Sequence, residues 1–122
     1  MPFSQSEVYR YLPTENLGPE QEGEYKYRVL IVSSDEYNRG NHILTIMFTT
    51  KKNDLPQMPS WVPFSPNSEF GLDEQCIAQG EMLTRTPPRY LGERCGRISD
   101  VKLGEVIEAI GYVMDASCFI DR

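Results

Sequence analysis

Arg28-Val29-Leu30-Ile31-Val32-Ser33 is the stretch on which the fold turns. Four apolar residues in succession leave no polar face, so Tyr25 to Ser33 reads as a strand covered on both sides and central in a sheet. This is the longest aliphatic run of the chain, far below the roughly 20 residues a membrane span needs. Downstream, Asp35-Glu36-Tyr37-Asn38-Arg39-Gly40-Asn41 has turn chemistry, with Asn and Gly suited to positive φ. In the next stretch, His42 to Thr50, Ile43, Thr45, Met47 and Thr49 alternate against Leu44, Ile46 and Phe48, a second strand. Upstream, Glu7 to Leu12 is rich in aromatic and β-branched residues and predicts the first strand. Thr14 to Gly23, which holds Gly18-Pro19, reads as an exposed loop.

Beyond Thr50 the pattern continues in short pieces. Ser60 to Phe64 is a strand whose Pro63 suits an edge. Gln75 to Thr86 reads as one fifth strand ended by Pro87-Pro88, and Cys95 to Ile98 as a brief sixth. The period then changes. Leu103, Val106, Ile107, Ile110, Val113 and Met114 recur every three or four residues, the stripe of a helix over about 99–116. Ser99 or Asp100 suits its N-cap. Gly104 and Gly111, each costing roughly 1 kcal/mol against alanine, read either as permitting close packing on the barrel or as simply tolerated. The expectation is a single domain over 1–122, mainly β, a small β-barrel or sandwich of five to seven strands with a C-terminal helix.

Composition narrows the chemistry. At 122 residues, 39% apolar and 25% charged, the chain falls in the globular range. The N-terminus, Met1-Pro2-Phe3-Ser4-Gln5-Ser6, has neither a basic start nor an apolar core, so no secretory signal is visible. Three cysteines, Cys76, Cys95 and Cys118, form no C-x-x-C pair, which argues against a disulfide framework or zinc ribbon and fits a reducing cytoplasm. A single histidine, His42, cannot supply the acid and base of a two-histidine nuclease, and no His/Cys cluster offers a metal site. Any chemistry must rest on arginine, glutamate, threonine and backbone groups.

The net charge of −6 is segregated. Glu7, Glu15, Glu20, Glu22 and Glu24 against Arg10 leave residues 7–24 at −4. Lys26, Arg28, Arg39, Lys51 and Lys52 against Asp35 and Glu36 leave 25–52 at +3, and Arg85, Arg89, Arg94 and Arg97 against Glu93 leave 84–97 at +3. A polyanion partner would use those two basic stretches.

Six pieces in order resemble the MazF/PemK-type toxins of bacterial toxin–antitoxin pairs. They are Ser6-Glu7-Val8-Tyr9, in the place of a glycine-led strand start, with Gly18-Pro19-Glu20-Gln21; the segment Arg28 to Arg39; Phe48-Thr49-Thr50-Lys51; Met58-Pro59-Ser60-Trp61-Val62; Ile77-Ala78-Gln79-Gly80-Glu81-Met82-Leu83 with Leu91-Gly92; and Gly96-Arg97-Ile98-Ser99. The resemblance implies an SH3-like barrel with a C-terminal helix that assembles as a homodimer. It implies a metal-independent, sequence-specific endoribonuclease, without cofactor, cutting single-stranded RNA or mRNA. It also implies a cognate antitoxin whose acidic, partly disordered segment enters the same groove.

Metal-free RNA cleavage makes the 2′-hydroxyl attack its own phosphate, so a site must orient the two and neutralise the phosphorane. By position, the resemblance assigns Thr49 as hydroxyl contact, Arg28 as charge stabiliser, and Glu20 and Glu81 as carboxylates. Gln21, Tyr27, Lys51, Lys52, Trp61 and Arg85 are the expected RNA contacts, the aromatics for stacking. Two arginines are offset. Counting back from Ser33 and Tyr37-Asn38, the family arginine falls on Tyr27 with Arg28 in the place of the next residue. The late-strand arginine falls on Thr84, with Arg85 beside it. A gyrase-poisoning toxin of the same barrel superfamily, using Phe119 and Ile120, and a catalytically degenerate binding member are the alternatives.

Overall fold

The computed structural model describes residues 3–13, 27–50, 58–66 and 75–115. It holds seven strands, β1 (Glu7–Tyr11), β2 (Arg28–Ile31), β3 (Ile43–Thr50), β4 (Trp61–Phe64), β5 (Cys76–Gln79), β6 (Thr84–Thr86) and β7 (Leu91–Arg97), then helix α1 (Asp100–Val113). The antiparallel ladder runs β4-β5-β3-β2-β1-β7, and β6 joins the first half of β3. No ladder joins β4 to β7, so among the described residues the sheet is open rather than a closed barrel. The mainly β fold with one C-terminal helix stands as the pattern predicts.

β2 is central, between β1 and β3, and all four of its residues are buried. Its alternation creates two cores. Leu30 joins Val8, Ile46, Phe48, Val62, Phe64 and Ala78 beneath Val106 and Ala109 of α1. Val29 and Ile31 face the other way, with Tyr9, Ile43 and Leu91. Phe48 and Phe64 meet edge to face at 5.0 Å. Each fully buried aliphatic side chain here contributes about 1.5–3 kcal/mol.

The stretch 75–86 is not one strand. β5 stops at Gln79, and Gly80 to Met82 make a 3₁₀ turn before β6. Gly80 sits against the helix backbone: a Cβ there would lie 2.8 Å from the Ala109 carbonyl oxygen. Its N–H donates to the Ser60 carbonyl at 2.7 Å. Helix docking therefore breaks the strand, a long-range cause that alternation cannot register.

α1 begins as its cap predicts, the Ser99 hydroxyl accepting the Lys102 N–H at 3.1 Å. It ends at Val113, and 116 lies outside the described residues. Gly104 and Gly111 pack on nothing, since a Cβ at either meets no atom within 4 Å. β7 starts four residues earlier than the brief sixth strand predicted at Cys95. The turn after β2 also works differently from expectation. Positive φ occurs at Ser6 (81°) and Gly96 (156°), not at Asn38 or Gly40. Asn38 acts through buried hydrogen bonds, its Oδ1 accepting from Ser33 Oγ and its Nδ2 donating to the Phe3 and Ser33 carbonyls. No helix among the described residues is long and apolar enough to cross a membrane.

Candidate functional site

Near the end of β3, Thr49 faces away from the helix-covered core. Strand alternation sets it with Met47 and opposite Ile77 of β5. Its Oγ1 donates to Gln79 Oε1 at 3.5 Å. Gln79 pairs across the ladder with Trp61 of β4, and Trp61 Nε1 donates to Glu81 Oε2 at 2.8 Å. Thr49, Gln79, Trp61 and Glu81 thus form one polar group, and the turn enforced by Gly80 is what swings Glu81 back toward β4.

Burial pushes the Glu81 carboxyl up, but hydrogen bonds from Trp61, its own backbone N–H and Ser60 outweigh this and hold it below the ordinary 4.5. Glu81 is therefore an ionised acceptor at neutral pH.

On the other flank of Thr49 stands Tyr27. The Tyr11 N–H donates to the Tyr27 carbonyl at 3.0 Å, which extends the β1–β2 register so that Tyr11 and Tyr27 are opposed. Carrying the β2–β3 register two residues past Val29 and Met47 brings Tyr27 level with Thr49. Trp61 and Tyr27 thus share the face of Thr49, on opposite sides of β3.

Arg28 does not join this group. It sits opposite Arg10 on the face of Leu30, 8% exposed. Its Nη1 donates to the Tyr27 carbonyl at 3.5 Å and its guanidinium hydrogen-bonds Cys95. Burial pushes the Cys95 thiol up, and Arg28 offsets only part of that. The reason is the period of two: consecutive strand residues point to opposite faces. Arg85 is also elsewhere, opposite Leu44, with Nη2 2.9 Å from His42 Nδ1. Those two side chains line an open cleft of about 270 Å³ with Tyr37, Gly40 and Asn41. Glu20, Gln21, Lys51 and Lys52 lie outside the described residues. Gln79, the link between Thr49 and Trp61, went unpredicted, though its place two residues before Glu81 on an alternating strand was the available signal.

Comparison with known structures agrees on the architecture. An endoribonuclease in complex with its cognate antitoxin, from a mycobacterial species, is 18% identical, with a TM-score of 0.68 over 92% of this chain and 94% of its own. The Mycobacterium tuberculosis toxin MazF-mt6 is 16% identical, with a TM-score of 0.67 over 89% of this chain and 96% of its own. A MazE-MazF structure from Deinococcus radiodurans is 13% identical, with a TM-score of 0.68 over 94% of this chain and 97% of its own. At such identities the likeness establishes the shared fold. No curated protein sequence matches the chain significantly. Residues 5–114 match the family described as PemK-like, MazF-like toxin of type II toxin-antitoxin system, and the chain belongs to that family.

Proposed function

We propose that this toxin is an endoribonuclease that cuts single-stranded RNA by attack of a 2′-hydroxyl on the adjacent phosphodiester. The observation that carries the reading is the grouping of the Thr49 hydroxyl and the Glu81 carboxylate, linked through Gln79 and flanked by Trp61 and Tyr27. Two of the structural relatives are themselves described as endoribonucleases.

In this reading Thr49 donates to a non-bridging phosphate oxygen, and a carboxylate, Glu81 or Glu20, accepts the 2′-hydroxyl proton. The 2′-oxygen bonds to phosphorus while the bond to the 5′-oxygen breaks. Water protonates the departing oxygen, leaving a 2′,3′-cyclic phosphate and a 5′-hydroxyl. Charge on the phosphorane is met by Lys51 and Lys52, which follow β3 directly in sequence. Arg28 serves from the opposite face as a positioning group that holds the Tyr27 carbonyl. With Glu81 as base, activity falls only as pH drops through a value below 4.5. The working species is a homodimer, silenced by an antitoxin with an acidic, partly disordered segment.

Mass analysis of RNA ends after incubation with purified protein, with and without chelator, tests this directly. Cyclic-phosphate termini that persist in chelator support it, and intact RNA across many sequences removes it. One observation favours a second reading, a binding member with weakened catalysis: Tyr27 stands beside Thr49 where the resemblance places an arginine. Cleavage that emerges only in Tyr27→Arg, from an inert parent, selects that alternative.

A further inference from the structure

The face that carries Thr49 does not end at Tyr27. Tyr11 is opposed to Tyr27 across the β1–β2 ladder, so the two rings share one face. Tyr11 meets Tyr90 edge to face, ring centroids 6.1 Å apart. The Arg89 guanidinium carbon lies 5.1 Å from the centre of the Tyr90 ring. A 3₁₀ turn, Pro88–Tyr90, holds these last two, and the Leu12 N–H donating to the Tyr90 carbonyl at 2.9 Å ties that turn to β1. From β3 to β7 the row crosses three inter-strand spacings, about 14 Å.

Tyr9, on the same strand, shows what a core tyrosine looks like here. It is 8% exposed, and its hydroxyl donates to Glu7 at 2.9 Å. Tyr11, Tyr27 and Tyr90 are instead half-buried, and Arg89 is exposed. Aromatic faces beside a guanidinium suit unpaired bases, because every base has a π-face and its phosphate is anionic. The location is complementary in charge as well: Tyr90 and Arg89 belong to the stretch 84–97, at +3 in a chain of −6.

We propose that Tyr27, Tyr11, Tyr90 and Arg89 form a base-stacking track for single-stranded RNA leading away from Thr49, and so set how much flanking RNA the protein holds. The proposal rests on the RNA reading above. It assigns to Tyr11, Arg89 and Tyr90 a role that the motif positions do not give them.

Fluorescence anisotropy with uncleavable 2′-O-methyl oligoadenylates of twelve and four nucleotides tests it on the full chain. Tyr90→Ala and Arg89→Ala are each expected to weaken the twelve-mer about tenfold and the four-mer far less. Tyr90→Phe, which keeps the ring, restores the twelve-mer affinity. Arg89 is exposed, so its alanine variant keeps the test alive if Tyr90→Ala does not fold. Equal loss for both lengths, or no loss in either alanine variant, overturns the track while wild-type binding leaves the RNA reading standing. No binding by the wild type defeats both. Alanine variants that keep the twelve-mer but lose a cognate antitoxin assign the row to a protein partner and overturn the proposal.

Discussion

Tyr27 and Arg28 are neighbours in the chain, yet they belong to different regions of the molecule. Arg28 lies on the helix side of the sheet with Leu30, 8% exposed and bonded to Cys95. Tyr27 lies on the other side, opposite Tyr11 and level with Thr49. On the helix side Arg28 is buried beside the Tyr27 carbonyl and Cys95, which suits a structural charge. The opposite side carries hydroxyl, amide, indole and carboxylate groups linked across β3, β5 and β4. A strand makes both regions from alternate residues, so a shift of one position exchanges a structural group for a chemical one.

The sharpest way to break this contrast is a pair of substitutions read on two axes. Thr49→Val removes the hydroxyl to which the proposed mechanism gives the phosphate contact, so RNA cleavage is expected to fall about 100-fold with the melting temperature almost unchanged. Arg28→Ala empties a buried position and strips Cys95 and the Tyr27 carbonyl of a donor, so it is expected to cost about 2 kcal/mol of stability in denaturant titration. A cleavage loss per folded molecule in Arg28→Ala as large as that of Thr49→Val erases the distinction between the faces.

Next in size is the seam where the helix meets the site. Gly80→Ala drives a methyl into the backbone at Ala109 and Ile110, with contacts near 2.8–3.0 Å. Neither side can yield as a flexible side chain would, so a loss of about 2 kcal/mol is expected. Because Glu81 follows directly, cleavage should fall along with stability. Retained cleavage would show that the turn holding Glu81 does not depend on helix docking.

How legible this was in the sequence follows from the range of each cause. β2, β3 and the Ser99 cap were readable because alternation and capping act over a few residues. The break at Gly80 was not, since its cause is the backbone near Ala109, some thirty residues on. Spacing back from Ser33 and Tyr37-Asn38 set the family arginine on Tyr27, with Arg28 one place on, and spacing alone is blind to which face a shifted residue takes. Thr49 and Glu81 come from separate motifs, and their grouping required Gln79 and Trp61 to be placed as cross-strand partners. Turn composition misled at Asn38, where the residue serves as a buried hydrogen-bonding hub rather than a positive-φ hinge.

Of similar size is the pH response of the outer face. Burial, then the hydrogen bond to Glu7, pushes the Tyr9 phenol up to about 12 from 10. The neutral phenol is the form that folding favours. Its contribution is full below pH 10 and is lost as pH rises toward 12, about 2 kcal/mol in all. Tyr9→Phe should flatten that alkaline limb in urea midpoints between pH 9 and 12. Glu7 behaves oppositely. Although burial pushes its carboxyl up, bonds from the Ser4 N–H, Arg94 and Tyr9 hold it below 4.5. Its stabilisation is present above 4.5 and fades as pH falls through the lower folded value.

The smallest effect asks whether the helix, like the sheet, has a working side and an idle one. Its inner side buries Val106 and Ala109. Its outer side leaves Val101 74% exposed and Ile107 44%, with Gly104 and Gly111 opening onto empty space. Glycine in a helix costs backbone entropy and gives nothing back unless something approaches closely. If solvent is the only neighbour, Gly104→Ala and Gly111→Ala should each raise stability by about 0.5–1 kcal/mol, additively, at any protein concentration. If a second copy of the chain packs there, the added methyls lie in its path. Stability should then drop, and the loss should grow with protein concentration as dimer is disfavoured. Thermal melts of the double alanine variant at two concentrations a hundredfold apart separate the two cases, because a solvent-facing methyl carries no concentration term.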